Sequence, residues 1–511
     1  MKGNCIFYLL FCLCISSNIN AAVKLPAVIT DHMVLQQQTT VALWGWADAG
    51  ERIAIRCSWN SQPVTITAAA DGRWQAKVKT TAAGGPYTIT FSGTNTIEVQ
   101  DVLLGEVWLC SGQSNMEFPL AKQKAWRTGV TDYEQEVAKA TDPRLRLFTV
   151  QQQVAGTPQQ DVQGSWMACT PESAATFSAV AYYFGKELRE ATGVPVGLIH
   201  SSWGGTPAES WTRKEVLDGD PALRAILHRY ETAVKTYPED VAKYQKELDQ
   251  WLRDSAAHLE KLPKKPTHPV EPEKNSKSPT KLYNAMIHPF IPFTLKGVIW
   301  YQGESNAVRA WQYRNLFPAM IRSWRKEWKA EFPFYFVQIA PHHQQNPEIR
   351  EAQLLTYKTV PRTGMAVITD AGDSLDIHPR NKAVVGHRLA LWALAKTYGK
   401  SDRVYSGPLY QSSAKEGNKI RIRFSFADGG LVAKDGTLTG FTIAGADRLF
   451  VSATAVIEGN TIVVSGSGIT APVAVRFGWT TVPHAVLYNK AGLPASPFRT
   501  DDWPGETFNK N

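Results

Sequence analysis

Four short polar stretches, far apart in the chain, carry the residue types that acyl-transfer chemistry uses. SGQSNM (111–116) places Ser114 directly after an apolar run, and SSWGGTPAESW (201–211) contains paired glycines. YQGESN (301–306) supplies two amides and a carboxylate, and DSLDIHPRNK (373–382) sets acids beside a histidine. Attack on a carbonyl needs a nucleophile, a base to take its proton, an acid to orient the base, and N–H donors for the oxyanion. Each stretch alone is ordinary, since Gly, Ser and Asn also make turns and the chain has 11 histidines. Together they fill every role.

The elements that must position them follow from the apolar runs. Strand-like segments occur at Val107–Cys110, Leu145–Val150, Val196–His200, Gly297–Tyr301, Phe334–Ile339 and Met365–Thr369. Helical patterns lie between several of them, at Ala179–Thr192, Tyr313–Trp328 and Lys382–Tyr398. Buried runs alternating with amphipathic helices predict an α/β fold with a doubly wound, mostly parallel sheet over residues 104–403. Ligands bind such sheets at the carboxyl ends of the strands, where all four polar stretches fall.

Residues 23–103 read as an N-terminal β-sandwich, with VALWGWA, RIAIRCSW, RWQAKVK and YTITFSG separated by turn residues. A second β-rich unit is expected over 404–511. The block 214–281 reads as an insertion: charged amphipathic helices, then a Pro- and Lys-rich tail expected to be mobile. Its charges read as a solvated face.

GQSNM, WGGTP, WYQGESN and DIHPRNK, in that order, resemble the sialate O-acetylesterase family of the SGNH (GDSL-like) hydrolase superfamily. The likeness extends to LPAVITDHMVLQ near the start and GLPASPFRTD near the end. It implies a serine esterase acting on O-acetylated glycans, with O-acetylated sialic acids first and acetylated xylan or another polysaccharide second. Carried over to this chain, Ser114 is the nucleophile and its backbone N–H also an oxyanion donor. His378 is the base. The superfamily sets its acid three residues before the histidine, where Leu375 stands here. Asp376, two before, is the first choice because alternate residues of an extended segment share a side. Asp373 and Asp370 are reserves, and a dyad supported by a backbone carbonyl is a further option. The remaining donors are expected from Gly205, ahead of Gly204, and from Gln302, ahead of Asn306. Glu304 reads as a carboxylate tying loops together. Asn306, Glu304, Trp203, Asn284 and Arg309 are substrate-binding candidates. Trp211, Trp300, Tyr301 and Trp479 are further candidates for a sugar site, as are Arg350 and Arg499 for a carboxylate, and His288 for shaping the pocket.

The composition is that of a soluble globular protein, with 43% hydrophobic and 20% charged residues. A net charge of +9 over 511 residues, with no long basic block, does not argue for nucleic acid. Seventeen tryptophans tilt towards a sugar ligand. The start, MKGNCIFYLLFCLCISSNINAA, reads as a signal peptide over 1–22, so the mature chain is expected to be exported, to periplasm or medium. Three cysteines remain after it, Cys57, Cys110 and Cys169, too few and too scattered for a disulfide framework or zinc site. No metal or other cofactor is expected, nor a membrane span; oligomeric state has no signature. The rival outside enzymology is a glycan-binding protein around a degenerate hydrolase, which predicts a missing nucleophile, base or donor, and none is missing.

Overall fold

The computed structural model describes residues 22–257, 262–427 and 429–510. The expected signal peptide lies, but for Ala22, outside the described residues.

Seven strands form the central sheet: β1 (Thr96–Gly112), β2 (Asp142–Thr149), β3 (Trp166–Cys169), β4 (Val196–Ser202), β5 (Gly297–Tyr301), β6 (Phe334–Gln338) and β7 (Thr363–Val367). Their spatial order is β7-β6-β5-β1-β4-β2-β3. All neighbours run parallel except β2 and β3. The apolar runs explain why: β4, β5, β6 and β7 are buried at every residue, the pattern of strands covered on both faces. From β1 the chain fills one side of the sheet with β2 to β4 and then the other with β5 to β7. That reversal puts the end of β1 at the place where open α/β sheets bind ligands.

Helices α1 (Ala179–Thr192), α2 (Pro221–Ala256), α3 (Ala310–Trp328), α4 (Pro347–Thr359) and α5 (Lys382–Lys396) connect or flank the strands. Helix α1 shows the local logic. The Ser178 hydroxyl accepts the Ala181 N–H at 3.2 Å, capping the start, and Gly193 at φ 74° closes the end.

β1 is 17 residues long. Its first half pairs with Gly84–Ser92 and Val34–Gln36 of the N-terminal β-region, and its second half with β4 and β5. The boundary expected between residues 103 and 104 therefore falls inside one strand, with no linker there. The C-terminal residues form further antiparallel sheets, including Leu409–Glu416 with Lys419–Ser425, and Phe441–Ala444 with Ala474–Phe477.

The insertion differs from expectation. Its two helical stretches form one 36-residue helix, α2, running through Pro238. Only Leu223, Ile226 and Leu227 of it are buried, so its first turns dock and the rest meets solvent. The tail is not uniformly loose, because Pro272, Ser278, Thr280 and Lys281 are buried. Among the described residues, no helix is long and apolar enough to cross a membrane.

Candidate active site

β1 ends in a turn that only glycine permits. Gly112 has φ 143°, and a Cβ there would lie 2.1 Å from the Tyr301 carbonyl oxygen at the end of β5. Gln113 then donates its backbone N–H to the same carbonyl at 3.0 Å, and Ser114–Glu117 makes a single helical turn. Ser114 is the first residue of that turn, so its N–H has no acceptor within the helix. Its side chain lies on the wall of a cleft of about 610 Å³.

His378 lines the same cleft. Its ring stacks on Trp126 at 4.5 Å between centroids, with Phe118 beyond at 6.5 Å. Burial, followed by the nearby Lys382 charge, pushes the imidazole down to about 4. It is therefore neutral, as a base must be, throughout the ordinary pH range.

The acids are unequal. Asp376 Oδ1 stands 3.7 Å from His378 Nδ1 and accepts the His378 backbone N–H at 2.9 Å. The ring contact is longer than a hydrogen bond. Asp373 accepts the backbone N–H groups of Leu375 and Asp376, an Asx-type turn. Asp370 is held bidentately by Arg388, at 2.5 and 2.7 Å. Of the three, Asp376 alone pairs with the His378 ring.

The two glycines separate as well. Gly204 donates its N–H to Glu117 Oε2 at 2.6 Å, and Glu117 is also paired with Arg127. Gly205, at φ 71°, lines the cleft, and its N–H makes no hydrogen bond among the described residues.

The expected amide donors need correction. Gln302 is fully buried; its amide donates to Asn306 Oδ1 at 2.7 Å and Thr206 O at 3.4 Å, while its carbonyl accepts from the Tyr313 hydroxyl. Asn306 takes the Ala208 N–H on its carbonyl and donates to Glu209 at 2.8 Å. Neither faces the cleft. They join the 204–209 loop to the 302–306 loop. Four glutamines do line the cleft, Gln113, Gln152, Gln344 and Gln345, and Gln113 is the one beside Ser114; its Oε1 accepts from Ser305 N at 3.2 Å and Gly303 N at 3.4 Å. That fixes the side chain and leaves its NH₂ unengaged among the described residues. Its only signal in the sequence was adjacency to Ser114.

Beneath the turn lies a buried polar cluster. Asn115 Nδ2 donates to Glu304 Oε1 at 2.7 Å and to Ile377 O at 3.0 Å, and its Oδ1 accepts from Lys382 Nζ. Asn115 thus clips the Ser114 turn to the residue preceding His378. Glu304 ties loops together and also lines the cleft; burial raises its carboxyl above the usual range. Burial pushes the Lys382 ammonium down to about 7, against the opposing Glu304 charge.

The remaining candidates scatter. Trp203 lines the cleft, as does Trp126, which sequence reasoning passed over. Trp211, Trp300 and Tyr301 are fully buried core residues. Asn284 donates to the Ala155 carbonyl, and His288 meets the Gln159 carbonyl, both outside the cleft. Trp479 and Arg499 line a separate cavity formed with the C-terminal region, Arg499 being paired with Glu351 and Asp501. Arg350 is fully buried, and its guanidinium donates to Thr481 O at 2.5 Å. Arg309 pairs with Glu209 beside the cleft. The three cysteines are buried free thiols. Among the described residues, no group of three or more His, Cys, Asp or Glu is placed to hold a metal ion.

Residues 104–265 and 272–395 match the model of a family described as carbohydrate esterase, sialic acid-specific acetylesterase. The sialate O-acetylesterases of Rattus norvegicus and Homo sapiens are each 29% identical to this chain. The matches cover 93% and 95% of it, and 94% of each relative. A crystal structure of a carbohydrate acetylesterase from Xanthomonas citri is 38% identical, with a TM-score of 0.79 over 94% of this chain and 100% of that one.

Proposed function

Because the chain belongs to the sialic acid-specific acetylesterase family of carbohydrate esterases, and is a carboxylic ester hydrolase, we propose that it is exported and removes O-acetyl groups from glycans through an acetyl-enzyme on Ser114. We assign its sheet to the SGNH-hydrolase type and its substrate to O-acetylated sialic acids.

In this mechanism Ser114 Oγ attacks the acetyl carbonyl while the neutral His378 takes its proton. The Ser114 and Gly205 N–H groups and the Gln113 amide receive the oxyanion. The imidazolium then protonates the departing sugar oxygen, and a water activated by the same ring releases acetate. Asp376 steadies the positive ring. The observation that carries this reading is that Ser114, His378, Gly205 and Gln113 line one cleft.

A neutral acetylated polysaccharide is the second reading, supported by the similarity to the carbohydrate acetylesterase from Xanthomonas citri. The test is acetate release from O-acetylated sialic acid against acetylated xylo-oligosaccharide, with and without a serine-directed organophosphate. Inhibition with a mass adduct on Ser114 is expected. Hydrolysis that survives the reagent would refute the covalent route, and a preference for xylan would replace the substrate.

A further inference from the structure

Next to the cleft, and sharing Gly205, Lys277 and Ser305 with it, lies a second cavity of about 380 Å³. The insertion builds one side of it. Arg229 and Tyr230 come from α2, and Lys277 from the tail that follows; Arg309 and Glu209 come from the α/β core. Tyr230 donates to Glu273, which also pairs with Lys281, so helix and tail are tied together at this wall.

The charges do not balance. Three cations, Arg229, Lys277 and Arg309, face the cavity with a single carboxylate, Glu209. One oxygen of Glu209 lies 3.1 Å from Arg309 and 3.8 Å from Arg229, while the other is taken by Asn306. One guanidinium N–H group on each arginine, Arg229 Nη1 and Arg309 Nε, is buried without an acceptor. A buried charged donor without an acceptor is costly to leave unfilled. Arg229 has its guanidinium held below the usual range by burial and then by the like charge of Arg309. Lys277 is exposed, has no ion-pair partner among the described residues, and lies against Gly205. Paired guanidinium groups with spare donors suit a carboxylate.

We propose that this cavity is an anion subsite in which Arg229, Arg309 and Lys277 hold the carboxylate of an acidic sugar whose O-acetyl group lies at Ser114. The proposal rests on the esterase reading above and adds that the charged insertion, expected as a merely solvated face, selects the substrate. Sialic and uronic acids present the same carboxylate chemistry, so the experiment must separate them.

Calorimetry on the full mature chain compares free N-acetylneuraminate and glucuronate, each against its methyl ester. The acid is expected to bind about tenfold or more tightly than its ester. That ratio should fall to near one in Arg229→Met and in Lys277→Ala, the latter at an exposed position where folding is not at risk. Whichever acid shows the ratio identifies the sugar class. Equal binding of acid and ester, no binding of either acid, or an unchanged ratio in both variants would overturn the subsite. Ester hydrolysis without acid preference removes the subsite and leaves the esterase standing. Acid-selective binding together with hydrolysis that persists in Ser114→Ala would do the reverse.

Discussion

The two segments that carry the proposed nucleophile and the proposed base are held in opposite ways. The Ser114 turn is anchored in the sheet. Gly112 sits against the Tyr301 carbonyl, Gln113 binds the 303–305 backbone through its side chain, and residues 111–120 are all buried. The 373–378 segment has its backbone N–H groups bonded to its own aspartates, and Leu375 is 82% exposed. Its inward ties are Asn115 to Ile377 O, the His343 N–H to Ser374 O at 3.3 Å, and the Trp126 stack on the His378 ring. The difference teaches that the core holds the Ser114 turn, the proposed nucleophile and oxyanion donors, whereas a clip and an aromatic face position His378, the proposed base.

Breaking the anchored side should do most damage. Ser114→Ala should lower kcat by about a millionfold, measured as acetate release. Activity within about tenfold of wild type would exclude a covalent serine. Gln113→Ala should cost about 100- to 1000-fold in kcat with little change in KM, the loss of one oxyanion donor. Gln302→Ala should instead register first as a lower Tm, because its amide joins two buried loops. If Gln302→Ala slows turnover more than Gln113→Ala while Tm holds, the donor assignment is reversed.

The clip comes next. Asn115→Ala leaves Lys382 and Glu304 without their shared partner and should destabilise the protein by about 1–3 kcal/mol. A fall in kcat of about 10- to 100-fold is expected from a misplaced base. Equal loss of Tm in Asn115→Ala with unchanged kcat would make the cluster structural only.

The smallest effects belong to the surroundings of the His378 ring. Because the His378 pKa is lowered to about 4, kcat/KM should hold from neutrality downwards and be lost only as pH falls through about 4, when the ring gains its proton. Lys382→Met removes a positive neighbour and should move that limb upwards towards 6.5. Asp376→Asn should cost less than about tenfold, since the ring lies 3.7 Å from a half-exposed carboxylate. A limb centred near 6.5 in the wild type, or a large loss in Asp376→Asn, would make Asp376 a tightly coupled partner after all.

Much of the frame was legible because burial writes itself into composition. β5 and α1 begin and end where apolar run, cap and glycine say they should. Strand β3 and helix α4 were missed: the first is a four-residue edge strand, and the second carries buried Glu348, Arg350 and Gln353 in place of an apolar stripe. The helices expected in the insertion are one, because α2 continues through Pro238 on a solvent-exposed stretch.

By itself the sequence determined which residue types stand at the ends of which strands, since local chemistry and hydrophobic period are properties of neighbours in the chain. Only the tertiary structure decided which way each side chain turns. Gln113 and Gln302 are both amides at strand ends, but loop packing sends one into the cleft and the other into the core. It alone also brought Arg229 and Lys277 to within one cavity of Ser114, because a charge's partners are set by distance in space and not by position along the chain.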